Sequence, residues 1–183
     1  MVRLAPIGAR PEEPGMADPH GKVFYHRDGP TVTLRVVGRG AMPHGLPVRK
    51  LFEAALADGV SQARADLRAC TYMDSTFIGT LLSINKGLLS RGFGPLVVLA
   101  PSEACGKILH QMGLDDLFPR EEASQAEDGW MEVPPSLDGG LESRRTIIEA
   151  HEALAALPGP AGKQFEAVIR CLTQAEKPPD KKD

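Results

Sequence analysis

Leu96-Val97-Val98-Leu99-Ala100 is an unbroken apolar run, entered from Gly92-Phe93-Gly94-Pro95 and left through Pro101-Ser102. A short apolar run bounded by glycine and proline reads as a strand buried on both faces. Such a strand lies inside a sheet that carries helices on its faces. The flanking segments meet that demand. Before the run, Phe77, Leu81, Ile84 and Leu88 recur at helical spacing, and Ile78, Leu82 and Leu89 widen the stripe. Asp74, Ser75 and Thr76, just ahead of that stripe, are all helix-capping types. After the run, Ser102 suits the cap of a helix that turns Ile108, Leu109 and Met112 inward and stops at Gly113, and Leu114 to Pro119 closes the unit.

The N-terminal half continues the pattern. Lys22 to His26 reads as a short first strand, Asp28-Gly29-Pro30 as a turn, and Thr31 to Val37 as a β-branched strand ended by Gly38-Arg39-Gly40. Pro47 suits the first turn of a helix carrying Val48, Leu51, Phe52, Ala55 and Leu56, with Gly59 in the C′ place. Ala63 to Leu67 is mixed in polarity, and its position between two helices is what makes it a strand. Strands alternating with helices predict an α/β fold with a mostly parallel or mixed sheet of about four to five strands covered by helices, joined by right-handed crossovers. The predicted division is a flexible arm at 1–20, a domain at 21–120, a linker at 121–140, a C-terminal helical hairpin at 141–176 and a disordered tail at 177–183. The linker is acidic and rich in Pro, Gly and Ser, and Trp130 within it is a candidate surface anchor. Phe165, Val168, Ile169 and Leu172 form one stripe on the last helix, suited to packing on the domain, to homodimerisation or to partner docking.

Bulk properties remove several function classes. The net charge of −3 provides no basic field for nucleic acid, and 5% aromatic residues leave few platforms for stacking bases. No run approaches the roughly 18 apolar residues of a membrane helix. The opening MVRLAPIGARPEEPG lacks the apolar core of a signal peptide, so a soluble, cytoplasmic protein is expected. Cys70, Cys105 and Cys171 are widely separated with no CxxC, which indicates neither a disulfide framework nor a zinc site. His20, His26, His44, His110 and His151 show no metal-ligand spacing. Neither GxSxG, Walker A nor GxGxxG occurs, and no nucleophile–base pair can be assembled, so no enzyme, metal or cofactor is expected.

Tyr72-Met73-Asp74-Ser75-Thr76-Phe77-Ile78-Gly79, then a leucine-rich helix, a glycine turn and an apolar strand, then Pro101-Ser102 and Gly113-Leu114-Asp115-Asp116-Leu117-Phe118, occur in the order found in the STAS family. From about Val23 to Pro119 the chain resembles that family, and most of all its anti-sigma factor antagonists. The resemblance implies a STAS fold and a partner-switching role. The unphosphorylated form would bind an anti-sigma factor that is also a serine kinase, freeing a sigma factor and regulating transcription indirectly. Phosphorylation would end the binding, and a phosphatase would reset it. By position the acceptor is Ser75, with Thr76 as the secondary candidate.

The chemistry suits a strand-to-helix junction. A phosphoserine carries about −1.5 to −2 charges at pH 7. The free N–H groups of a helix start favour an anion by about 0.3–1 kcal/mol. Asp74 beside it would repel the phosphate, and a loss of about 3 kcal/mol weakens a partner roughly a hundredfold. Asp74 is also a candidate to orient the hydroxyl or meet the kinase's metal–nucleotide site, and helix capping is the plain alternative for both residues. The chain departs from the family in two places. Phe77 replaces a glycine, so Phe77 and Ile78 are either partner contacts or core residues. Ala41 stands near the place of a family acid, which leaves Arg39 as a candidate partner for the phosphate or for an acidic surface. Competing readings are a STAS subunit of an ABC-type transporter or signalling scaffold, and a small-ligand sensor with a closed apolar pocket.

Overall fold

The computed structural model describes residues 21–123 and 129–174. The arm expected at 1–20, His20 within it and the tail expected at 177–183 lie outside the described residues. Strand β1 (Lys22–Asp28) turns through Gly29, at φ +52°, into β2 (Thr31–Gly40). The two pair antiparallel along their length, from Lys22 opposite Val37 to Asp28 opposite Thr31. Helix α1 (Met42–Ala57) leads to β3 (Gln62–Asp66), and β4 (Cys70–Met73) leads to α2 (Ser75–Leu89). Then follow β5 (Val97–Leu99), α3 (Glu103–Gln111) and β6 (Arg120–Glu121), and after them β7 (Met131–Val133), α4 (Leu141–Ala155) and α5 (Pro160–Gln174).

Among the described residues the seven strands form one sheet in the order β6-β5-β3-β2-β1-β7, with β4 joined to the far end of β2. The β2–β3, β3–β5 and β5–β6 pairs are parallel, whereas β1 pairs antiparallel with both β2 and β7. The mixed sheet predicted from the alternating pattern is present, with seven strands among the described residues rather than four to five, and its apolar run is an interior strand with Leu96 and Val98 fully buried.

Three local expectations need correcting, and one strand is additional. Gly38-Arg39-Gly40 continues β2 rather than ending it. The register shifts between Gly38 and Arg39, Gly38 takes φ +75°, and the strand passes from β3 to a new partner, β4. Helix α1 starts at Met42, so Pro43 occupies its first turn and Pro47 lies inside it. Cys70–Met73 is a strand in its own right. The stretch expected to be a linker supplies β7 and the second residue of β6, Glu121, and these two strands lie at the ends of the strand order. Trp130 holds this region to the sheet, with the Arg35 guanidinium 3.9 Å from its ring centroid and the His26 ring 5.6 Å away.

The core is continuous from Val23 to Leu154. Phe52, Phe77 and Phe118 are among its largest buried side chains, each contributing about 1.5–3 kcal/mol by leaving water. Helices α1 and α2 lie side by side, α4 rests against both, and α5 rests on α4. The stripe on α5 rests on α4, with Phe165 half-buried against the core and Val168 exposed.

Candidate functional site at the β4–α2 junction

Strand β4 delivers the chain to the sheet end beside Gly40, whose carbonyl accepts the Asp74 N–H at 3.0 Å. Asp74 is extended (φ −85°, ψ 168°) and Ser75 begins α2, so Asp74 is the N-cap. Its Oδ1 accepts the Phe77 N–H at 2.8 Å. Its Oδ2 accepts the Met42 N–H at 2.7 Å. Ala41, the N-cap of α1, makes no side-chain bond of its own. One carboxylate therefore closes the first turn of two helices, and both oxygens are engaged.

Ser75 is half-buried at the first position of α2. Its Oγ lies 3.1 Å from Nε2 of His151 on α4. The Nδ1 of His151 is 2.7 Å from the Ile147 carbonyl, which only accepts, so Nδ1 bears the proton. In the neutral ring Nε2 is then the acceptor and the Ser75 hydroxyl donates. His151 is buried, with its ring 6.0 Å from that of Phe165.

The other residues singled out from sequence separate into two groups. Thr76 is buried where three helices converge: a Cβ placed on Gly45 of α1 would meet Thr80 at 3.2 Å, Thr76 at 3.5 Å and Thr146 of α4 at 3.6 Å. Phe77 and Ile78, candidates for partner contact, are core residues at 0% and 1% exposure, and neither side chain meets a surface. The reason is local. A Cβ on Gly40 would lie 2.7 Å from the Phe77 ring, so the ring fills the space that Gly40 leaves vacant. Arg39 is exposed on β2 and stacks on Tyr72 of β4, 4.3 Å from its ring centroid. Asp74 and Ser75 form the site proper, with Arg39 on the strand that runs beside β4 into it.

Sequence reasoning missed His151 and the second bond of Asp74. His151 reads as one of several scattered histidines, and its partner lies on an element distant in sequence. Two buried thiols stand behind the junction. The Cys105 Sγ is 3.4 Å from the Cys70 carbonyl, and a hydrogen bond with Cys105, together with burial, pushes the Cys70 thiol up. Both thiols are fully buried. No group of side chains able to hold a metal ion occurs among the described residues.

Hollows open along both halves of α2. A groove of about 470 Å³ between α1, α2 and α4 is lined by Arg49, Glu53, Lys86, Arg91 and Glu149 as well as Phe52. A smaller hollow of about 210 Å³ lies beside Thr76, against Pro43, Leu46, Leu137 and Ile147. No helix among the described residues is long and apolar enough to cross a membrane.

The family model described as "Mlab, STAS domain" matches residues 23–119. Among solved structures, the chain is similar to the anti-sigma factor antagonist SpoIIAA in its unphosphorylated form, at 19% identity and a TM-score of 0.50, over 57% of this chain and 89% of that one. It is equally similar to TM1081 of Thermotoga maritima, at 19% identity and a TM-score of 0.50, over 66% of this chain and 91% of that one. At such identity these likenesses concern the fold. No curated protein sequence matches the chain.

Proposed function

The chain belongs to the STAS-domain family, and on that premise we propose that it is an anti-sigma factor antagonist: a non-catalytic, cytoplasmic binding module switched by phosphorylation of Ser75. The domain at 21–120 is the switch unit, and the hairpin at 141–176 is an addition to it. In the unphosphorylated state the end of the sheet at Asp74 and Ser75, with Arg39 at its flank, binds an anti-sigma factor that is also a serine kinase. Phosphorylation ends the binding and a phosphatase restores it. The observation that carries this reading is the place of Ser75: a hydroxyl at the first position of α2, half-buried, directly after an aspartate with both oxygens engaged in capping.

Thr76 is the weaker acceptor, because its side chain is enclosed by three helices. The ligand-sensor alternative needs a closed apolar pocket. The hollow beside Thr76, at about 210 Å³, falls below the about 300–1,000 Å³ typical of ligand sites.

The test is calorimetric binding of the full chain to a candidate anti-sigma serine kinase, with the phosphosite mapped by mass spectrometry. Wild type and Ser75→Ala should bind, and Ser75→Asp should bind about a hundredfold more weakly, a loss of about 3 kcal/mol. Equal binding by all three, or phosphorylation that bypasses Ser75, refutes the reading. Recovery of an ABC ATPase by pull-down in place of a kinase would instead mark the transporter-subunit alternative.

A further inference from the structure

A helix that lies on a sheet buries one stripe and leaves the other side to solvent. The N-terminal half of α2 does not: Thr76, Gly79 and Thr80 are buried along with the core residues Phe77, Ile78 and Leu81. The extra cover is α4. A Cβ on Gly79 would lie 2.2 Å from the Ala150 carbonyl oxygen, so the two backbones touch there. Thr146, Ala150, His151 and Leu154 of α4 are buried. Two ion pairs fasten α4 to α1 at the rim, Lys50–Glu142 at 2.7 Å and Arg49–Glu149 at 3.3 Å. Helix α4 lies wholly outside residues 23–119, the part that matches the family.

We propose that α4 is a built-in cover on the Ser75 face of α2, competing with an external partner, and that it must lift before Ser75 is bound or phosphorylated. The partner half of this inference rests on Ser75 being the switch residue. Two features support a cover that opens. The seam is lined mainly by threonine, glycine, alanine and histidine, whose side chains bury less apolar surface than a leucine- or phenylalanine-lined seam would, so parting it exposes little of the core. Of the buried residues of α4, only Leu154 enters the core as a large apolar side chain. The His151 ring, 3.1 Å from the Ser75 Oγ, also stands against the oxygen that must attack a transferred phosphoryl group. Kinase and cover therefore exclude one another at that atom.

The test introduces a wedge and a reporter into the full chain. Thr76→Cys, in a Cys171→Ser background, places a thiol in the three-helix seam away from His151. Cys70 and Cys105 are fully buried and serve as internal controls for global unfolding. Gly79→Leu is the wedge, because its side chain enters the space held by the Ala150 backbone. The rate at which a disulfide reagent labels the introduced thiol should rise at least about tenfold in the wedge variant, with Cys70 and Cys105 still protected. An unchanged rate overturns the cover. If the wedge also exposes Cys70 and Cys105, His151→Ala decides: faster labelling of the introduced thiol supports the cover and an unchanged rate overturns it. With the kinase of the binding experiment, Gly79→Leu should bind at least about tenfold tighter than wild type. Equal binding despite faster labelling overturns the competition. Absence of Ser75 phosphorylation in an uncovered variant overturns the switch reading and leaves the cover standing.

Discussion

Asp74 carries two structural bonds, and their loss should be separable. The perturbation is a set of three substitutions at that position. Removing an N-cap side chain costs about 0.5–2 kcal/mol, typically about 1. The second bond, to the Met42 amide at 2.7 Å, is charge-assisted. Such bonds reach about 1.5–3 kcal/mol, and partial exposure reduces this one to about 1. Asp74→Ala should therefore destabilise the chain by about 2–3 kcal/mol. Asp74→Ser keeps a cap for Phe77 but is too short to serve Met42 as well, so it should cost about 1 kcal/mol. Asp74→Asn retains one acceptor and turns an NH₂ group toward the other amide, giving a loss of the same order or somewhat larger.

The assay is urea denaturation followed by far-UV circular dichroism. A slope of about 1–3 kcal/mol/M translates the alanine loss into a midpoint lower by about 1–2 M. Hydrogen exchange adds a local readout: the Met42 amide should lose protection in Asp74→Ser while the Phe77 amide keeps it. If Asp74→Ala stays within about 0.5 kcal/mol of wild type, the range of ordinary surface changes, the double cap has no energetic weight. If Asp74→Ser matches wild type, the α1 bond is incidental.

The other expectations concern the surrounding fold. Restoring the family residue by Phe77→Gly should cost about 3–5 kcal/mol, because a fully buried ring leaves a cavity, and Gly40→Ala should destabilise wild type yet lose much of that penalty in a Phe77→Leu background; a double-mutant cycle in urea checks both. Burial alone would raise the pKa of Asp66, but hydrogen bonds from Arg68 and Arg35 outweigh it and hold the carboxyl below its ordinary value. The resulting stability is present above the unfolded value of about 3.9 and is lost as pH falls through the lower folded value. Asp66→Asn should cost about 1–3 kcal/mol at pH 7 and remove this part of the acid limb, seen by comparing urea midpoints at pH 7 and near pH 3. Trp130→Ala should cost about 1 kcal/mol through the lost stacking on Arg35, and a midpoint equal to wild type would show that the ring does not hold β7 to the sheet.

What was legible in the sequence was what neighbouring residues decide among themselves. The apolar run at Leu96 to Ala100, the stripe of α2 and the caps at Asp74 and Ser102 each depend on residues a turn or a strand apart. What was hidden depends on distant partners. The start of α1 is set by a carboxylate on another loop, so Pro47 drew the boundary too late. Strands β6 and β7 are two and three residues long and exist because β5 and β1 offer open edges. Phe77 looks like an exposed substitution until Gly40 is seen opposite it. The hairpin was legible in part: the strong apolar stripe lies on α5, where Phe165 reaches the core, but α4 makes most of the domain contact, partly through Thr146 and Ala150, which carry little hydropathy signal.

The double cap also changes how a charge at Ser75 would be felt. In a bare helix start, a phosphate would gain from free N–H groups. Here the Phe77 and Met42 amides are already taken by Asp74, so a phosphate on Ser75 would have to compete with that carboxylate for them. Two anions would then share the donors of one junction, and His151 is the nearest group able to become a cation beside them. Under the proposed switch, added charge gains less from the fold than at a bare helix start and acts more on whatever docks. If α4 is docked, the first contact the phosphate disturbs is the one between Ser75 and His151, so the hairpin and an external partner would respond to the same modification at the same atom.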